Sequence, residues 1–384
     1  MSFSPPLALA TAPPSVPFLD LLAAHAELGE ELEGAVSRVI AGGAYVLGPE
    51  LERFEAAFAQ EVGAEHCVGV GSGLDALALA LSARGVGPSD EVIVPAHTFI
   101  ATWLAVSRLG AVPVPVEPMA GGFNLDPEGV RAAIGPRTAA IVPVHLYGQP
   151  APLGELRTIA ERQGLALVDD AAQAHGAQLE GRSIGGGTDA TAWSFYPSKN
   201  LGAVGDGGAV TTNDGALAAH LRRLRNYGSE EKYLHPEQGS NSRLDELQAA
   251  ILSCKLSRLG SWNARRRELA ARYSAGLAGL PLRLPTVDEE ALHVFHLYVV
   301  RSDQRDQLRV ALAAAGVETG IHYPVPCHHQ GAFAATAAAR ADLPLSDRLA
   351  AEVLSLPIGP HLSDEQADRV IAGLWAFFGG GRGA

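Results

Sequence analysis

Short apolar runs alternate with segments of helical spacing along most of the chain. The runs 91–96 (EVIVPA), 112–117 (VPVPVE), 139–147 (AAIVPVHLY), 165–170 (LALVDD), 190–196 (ATAWSFY) and 207–212 (GGAVTT) read as strands. Several are apolar nearly throughout, as strands covered on both faces are. This alternation predicts an α/β fold with a mostly parallel central sheet. Two helix starts carry paired capping side chains. Ser72 with Asp75 opens a face of Leu74, Leu77, Ala78 and Leu81, and Ser242 with Asp245 does the same for Leu244, Leu247 and Ile251. After about residue 255 the pattern changes to a basic helix (Asn263 to Tyr273), a strand at 294–301, a helix at 304–315 and a last helix capped by Ser363. The organisation expected is a leader over 1–17, a large domain over 18–255 and a small C-terminal α+β domain over 256–384.

Composition narrows the partners. The 384 residues are 47% hydrophobic, which gives a core that needs no disulfide or structural metal. With 29 basic against 42 acidic side chains the formal charge is −13, which argues against a nucleic-acid partner. Cys67, Cys254 and Cys327 are far apart and form no C-x-x-C pair, so a reducing, cytoplasmic setting is expected. Met1 to Pro17 has neither a basic start nor a sustained apolar core, and no stretch has the length of a membrane span.

Three segments carry candidate chemistry. In Gly69-Val-Gly-Ser-Gly-Leu-Asp75 the dinucleotide fingerprint G-x-G-x-x-G fails at Leu74. What remains is a glycine turn into a capped helix, where the N–H groups of Gly71, Ser72 and Gly73 would face an anion such as a phosphate. An ordinary strand–helix turn explains this segment alone equally well. In Val168-Asp-Asp-Ala-Ala-Gln173-Ala-His175, two acids end an apolar run, where open α/β sheets bind ligands. Asp170 is placed to hold a protonated ring nitrogen, with Gln173 and His175 reaching the same cavity. In Trp193-Ser-Phe-Tyr-Pro-Ser-Lys199, a lysine follows an aromatic strand and precedes a glycine-rich run. Desolvation there would lower its pKa and make it competent for a Schiff base. A phosphate cradle, an acid for a pyridine nitrogen and a Schiff-base lysine are together the parts that pyridoxal phosphate requires.

With these residues in place, the chain resembles the DegT/DnrJ/StrS family of pyridoxal-phosphate sugar aminotransferases. The resemblance rests on GSGLDAL (71–77), PAHTFIATW (95–103), PVHLYGQP (143–150), DDAAQAHGA (169–177), SFYPSKNLGAVGDGGA (194–209), GSNSRLDELQAAIL (239–252), HYPVP (322–326) and LSLPIGPHL (354–362). It implies an aspartate-aminotransferase-like fold (fold type I) and a homodimer with shared active sites. Carried over by position, it implies Lys199 as the Schiff-base lysine and Asp170 as the partner of the pyridine nitrogen. Gln173 would lie near the ring hydroxyl and Phe99 would stack on the ring. Gly71, Ser72 and Ser194 would hold the phosphate, joined by Asn241 from the other subunit.

Asp169 stands where the family often has Glu, and Trp103 is also less usual. Lysine at 199 separates the chain from relatives that dehydrate sugars with His there. The run 97–118, RNYGSEEKY (225–233) and LPIGPH (356–361) resemble the branch that aminates C3 of nucleotide-linked 3-keto-6-deoxyhexoses, and the resemblance implies a dTDP-linked sugar with L-glutamate as the donor. Competing branches act on 4-keto sugars, 3-keto uronates or keto-inositols. A cofactor-binding sensor without turnover is the alternative of another class. Substrate contacts expected are Tyr196, Lys232, His322, Tyr323 and His328. His328-His329 finds no third ligand at metal-site spacing, so no metal is assigned.

Overall fold

The computed structural model describes residues 15–379; the expected leader falls almost wholly outside them. A seven-stranded sheet runs in the order His66–Val70, Gly208–Thr212, Ala190–Ser194, Ala166–Asp170, Thr138–Ile141, Glu91–Pro95, Val112–Val116. The last five are mutually parallel, and Gly208–Thr212 is antiparallel to both of its neighbours. Successive residues of each strand go to opposite cores. Cys67, Ile93, Leu167, Trp193 and Ala209 pack on one face, while Val68, Val92, Val168, Ala192 and Val210 pack on the other. Both faces are covered by apolar layers, which is why the strands read as unbroken apolar runs rather than alternating ones.

Several expectations shift in detail. The run 139–147 is a strand only to Ile141. Beyond it the chain turns, because Tyr147 takes φ 61° and the His145 N–H bonds the Asp170 carbonyl at 3.0 Å. The strand expected at 294–301 starts at Tyr298 and pairs antiparallel with Val353–Leu356. Ser363 does cap the last helix, exchanging hydrogen bonds with Gln366 at 2.9 and 3.2 Å. Ser242 is not a cap. The helix begins four residues later, at Glu246, behind Asp245.

The passage between the two regions runs inside a helix, Leu259–Gly276. Leu259 packs in the core of the large sheet, whereas Leu269, Ala270 and Tyr273 belong to the C-terminal core. Val16, fully buried, joins that C-terminal core and exchanges backbone hydrogen bonds with Gly316 and Glu318 at 2.7 and 3.0 Å. No helix among the described residues is long and apolar enough to cross a membrane.

The helix Glu246–Leu256 is fastened by one carboxylate. The helix Pro49–Glu61 has Gly48 at its N-cap and no side chain of its own to cap it. Glu246, 1% exposed, supplies the cap from outside, accepting the N–H groups of Gly48, Glu50 and Leu51 at 2.8, 2.9 and 3.1 Å. Replacing Glu246 by Ala leaves those donors unpaired and should lower stability by about 3 kcal/mol. Glu246→Gln, which keeps one acceptor, should lose less. Urea unfolding checks this, and an unchanged midpoint for Glu246→Ala would remove the carboxylate from the account.

Candidate active site

The carboxyl ends of the parallel strands open into a cavity of about 480 Å³. Of the residues expected from sequence, Ser72, Phe99, Asp170, Gln173, Ser194, Tyr196, Lys199, His322 and Tyr323 line it together. They come from segments up to 251 positions apart, brought to one place by the parallel topology.

Asp170 ends the strand Ala166–Asp170 and is 6% exposed. Its carboxylate accepts the Thr102 hydroxyl at 2.8 Å and the Ala172 N–H at 3.1 Å. Thr102 is 3.0 Å from the Thr98 hydroxyl, so a buried threonine pair orients the acid. Burial raises the Asp170 pKa, and the Thr102 hydroxyl, the Ala172 N–H and the Lys199 charge oppose that rise. Thr98 and Thr102, one helical turn apart in HTFIAT, are the signal that sequence reading passed over. Lys199 faces the same space, and burial lowers its amine to about 8 against the pull of Asp170.

The glycine turn is built differently from the expectation. Ser72 caps the helix Gly73–Ala83 by accepting the Asp75 N–H at 3.1 Å. Asp75 does not return the bond. Its carboxylate takes the Ser242 hydroxyl at 2.8 Å and Arg108 at 2.6 Å, while Ser242 Oγ accepts the Gly71 N–H at 3.0 Å. The Gly71 N–H is therefore committed to Ser242 and is not available to an anion. Gly73 and Leu74, the first helical residues, have no backbone acceptor among the described residues, and they line the cavity. The cradle is tight: a Cβ on Gly73 would lie 2.6 Å from the Ser194 Cβ, and one on Gly208 would lie 2.4 Å from the Ser72 carbonyl oxygen. Two open N–H groups at a helix start beside Ser72 and Ser194 fit a phosphate.

Gln173 is fixed at both ends of its amide. Its Oε1 accepts the Tyr147 N–H at 2.6 Å and its Nε2 donates to the Tyr323 hydroxyl at 3.1 Å. Burial pushes the Tyr323 phenol well up, so it stays protonated. The Tyr323 ring lies 5.4 Å from that of Phe99, which is 52% exposed and forms one wall of the cavity mouth. His322 bonds Ser355 Oγ at 2.8 Å, and burial with the Lys199 charge lowers it to about 4. His296, not singled out in the sequence, also lines the site and lies 3.2 Å from the Asn200 side-chain oxygen.

Besides Gly71, three residues expected at this cavity (His175, Lys232 and His328) lie away from it, and Asn241, expected from the other subunit, is also outside it. His175 lies outside the cavity, fully buried against Trp193, Phe195 and Phe58, with its pKa lowered to about 3 by burial. Lys232 is exposed beside the Tyr233 ring. His328 is buried and faces Asp347 at 3.1 Å. Asn241 is exposed, bridged to Asn226, and lines no part of this protomer's cavity.

Residues 26–375 match the model of the DegT/DnrJ/EryC1/StrS aminotransferase family. The chain belongs to that family. It is an aminotransferase of the pyridoxal-phosphate class, and its α/β fold is that of fold type I. It is 57% identical over 359 residues to the dTDP-3-amino-3,4,6-trideoxy-alpha-D-glucose transaminase of Streptomyces venezuelae, covering 93% of this chain and 95% of that protein. It is 58% identical to the erythromycin biosynthesis sensory transduction protein EryC1 of Saccharopolyspora erythraea, covering 94% of this chain and 99% of that one. Among solved structures, S. venezuelae DesV in complex with ketimine intermediate superposes with a TM-score of 0.94 at 56% identity, over 95% of this chain and 99% of that one.

The Lys199 amine should titrate accordingly. In cofactor-free protein it should be protonated and inert below about pH 8 and nucleophilic above it. Acylation of Lys199 followed against pH by mass spectrometry should show a midpoint near there; a midpoint in the ordinary lysine range would contradict the site geometry.

Proposed function

We propose that this aminotransferase moves an amino group from L-glutamate to C3 of a dTDP-linked 3-keto-6-deoxyhexose. The observation that carries the reading is the pairing of a partly neutral Lys199 amine with the buried Asp170 carboxylate across one cavity. The choice of sugar is supported by the S. venezuelae relative, whose name specifies an amino group at C3 of a dTDP-linked trideoxyglucose.

When bound, pyridoxal phosphate supplies an aldehyde for the amine and an electron-accepting ring. Asp170, oriented by Thr102 and the Ala172 N–H, would pair with a protonated ring nitrogen and favour its protonated form. Lys199 would hold the cofactor's aldehyde, and its amine is placed to move a proton at the amino-bearing carbon. Gln173, clamped between Tyr147 and Tyr323, would meet the ring hydroxyl, and Phe99 would cover the ring face. Gly73, Leu74, Ser72 and Ser194 would hold the phosphate through N–H and hydroxyl groups. Tyr196, His322 and Tyr323 line the route by which a sugar nucleotide would enter.

Two copies would complete the site. Asn241 is exposed and absent from its own cavity, as expected of a residue that serves the partner. Leu21, Leu22, Ile40, Tyr45, Val46 and Leu47 form a set of exposed apolar side chains suited to such a contact. The name of the EryC1 relative raises a sensor role, but Lys199, Asp170 and Gln173 are arranged here for turnover rather than retention alone.

Lys199→Ala should abolish release of 2-oxoglutarate from glutamate in the presence of a 3-keto sugar nucleotide, whereas a variant that retains multiple turnovers would overturn the assignment. In the same assay wild type should prefer the 3-keto over the 4-keto substrate, and the reverse preference would reject C3. Asn241→Ala should weaken cofactor retention on dialysis without changing the protomer fold. Unchanged retention, or a monomer on gel filtration that keeps full activity, would reject the shared site.

A further inference from the structure

The fold brings together three metal-ligating side chains that neither the cavity nor the reaction uses. His328 and His329 sit on the short turn Cys327–His329, and Asp347 lies on the helix Pro344–Glu352. Their adjacency in sequence offers two imidazoles, and the third donor arrives only through tertiary structure. Nε2 of His328 lies 3.1 Å from Asp347 Oδ1, and Nε2 of His329 lies 3.0 Å from the same oxygen. All three donor atoms fall within 4.8 Å of one another. We propose that His328, His329 and Asp347 bind a divalent transition-metal ion, with Zn²⁺ as the representative.

Geometry and donor chemistry agree. Bonds of about 2 Å to a tetrahedral ion place ligand atoms roughly 3.3 Å apart. The two measured separations are close to that spacing. Two imidazoles and a carboxylate form a set that suits Zn²⁺ and its neighbours rather than Mg²⁺ or Ca²⁺, which prefer all-oxygen shells. The His328 ring is 2% exposed and its Nδ1 has no partner among the described residues, so the convergence at Nε2 is its one polar contact. The His329 and Asp347 side chains are 53% and 47% exposed, which leaves the fourth position open to water and gives the ion a path in.

The placement gives the ion a mechanical consequence. Cys327 donates its thiol to the Thr98 carbonyl at 3.4 Å, beside the threonine pair that orients Asp170. Tyr323 precedes the turn in the same segment and lines the cavity. The helix carrying Asp347 is itself anchored by Glu117, which accepts the Leu345 and Ser346 N–H groups at 2.7 and 3.0 Å. A bound ion therefore ties the segment forming one wall of the cavity to an anchored helix. This site stands independently of the proposed sugar chemistry, because its readouts are metal content and thermal stability.

The test uses full-length protein loaded with pyridoxal phosphate, stripped of metal with a chelator and then dialysed. Zn²⁺ alone is titrated by calorimetry, with metal content measured on the isolated protein, for wild type, His329→Leu and Asp347→Asn. Both substitutions fall at half-exposed positions, and melting of each variant without Zn²⁺ reports its folding. Wild type should bind one equivalent and melt higher with the ion, while each variant should bind roughly tenfold or more weakly and gain no such rise. Failure of wild type to take up Zn²⁺, or an unchanged affinity and melting rise in either variant, would overturn the site.

Discussion

A carboxylate buried at the end of a strand is the constraint around which the rest of this structure is arranged. Asp170 is nearly inaccessible, and an ionised group in that position is costly unless other groups favour its charge. The Thr98–Thr102 pair, the Ala172 N–H and the Lys199 amine meet that cost together. The amine carries the opposite burden. Burial lowers it to about 8, against the pull of Asp170. Each group keeps the other within a useful range, and the parallel sheet holds them because both lie at the carboxyl ends of its strands.

The acidic balance of the chain bears on how phosphate is held. No arginine lines the cavity, and Lys199 is its one cationic side chain among the described lining residues. Favourable charge comes instead from backbone dipoles at the start of the helix Gly73–Ala83, which are local and do not alter the net charge of −13. The turn that presents them is fixed from outside by the Asp75–Ser242–Gly71 chain of hydrogen bonds. Ser242 thus supports the cradle from a segment 171 residues away.

Much of the site was legible because its chemistry needs rare residue types in a fixed order. A lysine after an aromatic strand, an acid ending an apolar run and glycines before a capped helix are visible without coordinates. Other features were hidden because they depend on which way a side chain turns. Gln173 faces the cavity while His175, two residues on, is enclosed by aromatic rings; the turn after Asp170 is not extended, so a period of two does not hold there. Ser242 looked like a cap because Asp245 follows at capping distance, yet its hydroxyl had a stronger use at Asp75.

By itself the sequence determined the α/β layering, the mostly parallel sheet and the order of the chemical parts, because strand burial and helix capping are local properties of composition and spacing. Tertiary structure decided which of those parts meet. It separated His328 and Lys232 from the cavity, recruited His296 to it and Thr102 to Asp170, and placed Asp347 against two histidines that had no third ligand in sequence. Such encounters depend on crossover connections that carry one segment across the sheet to another. The physical reason is that side-chain direction and strand order are fixed by packing both faces of the sheet at once, which no single stretch of chain encodes.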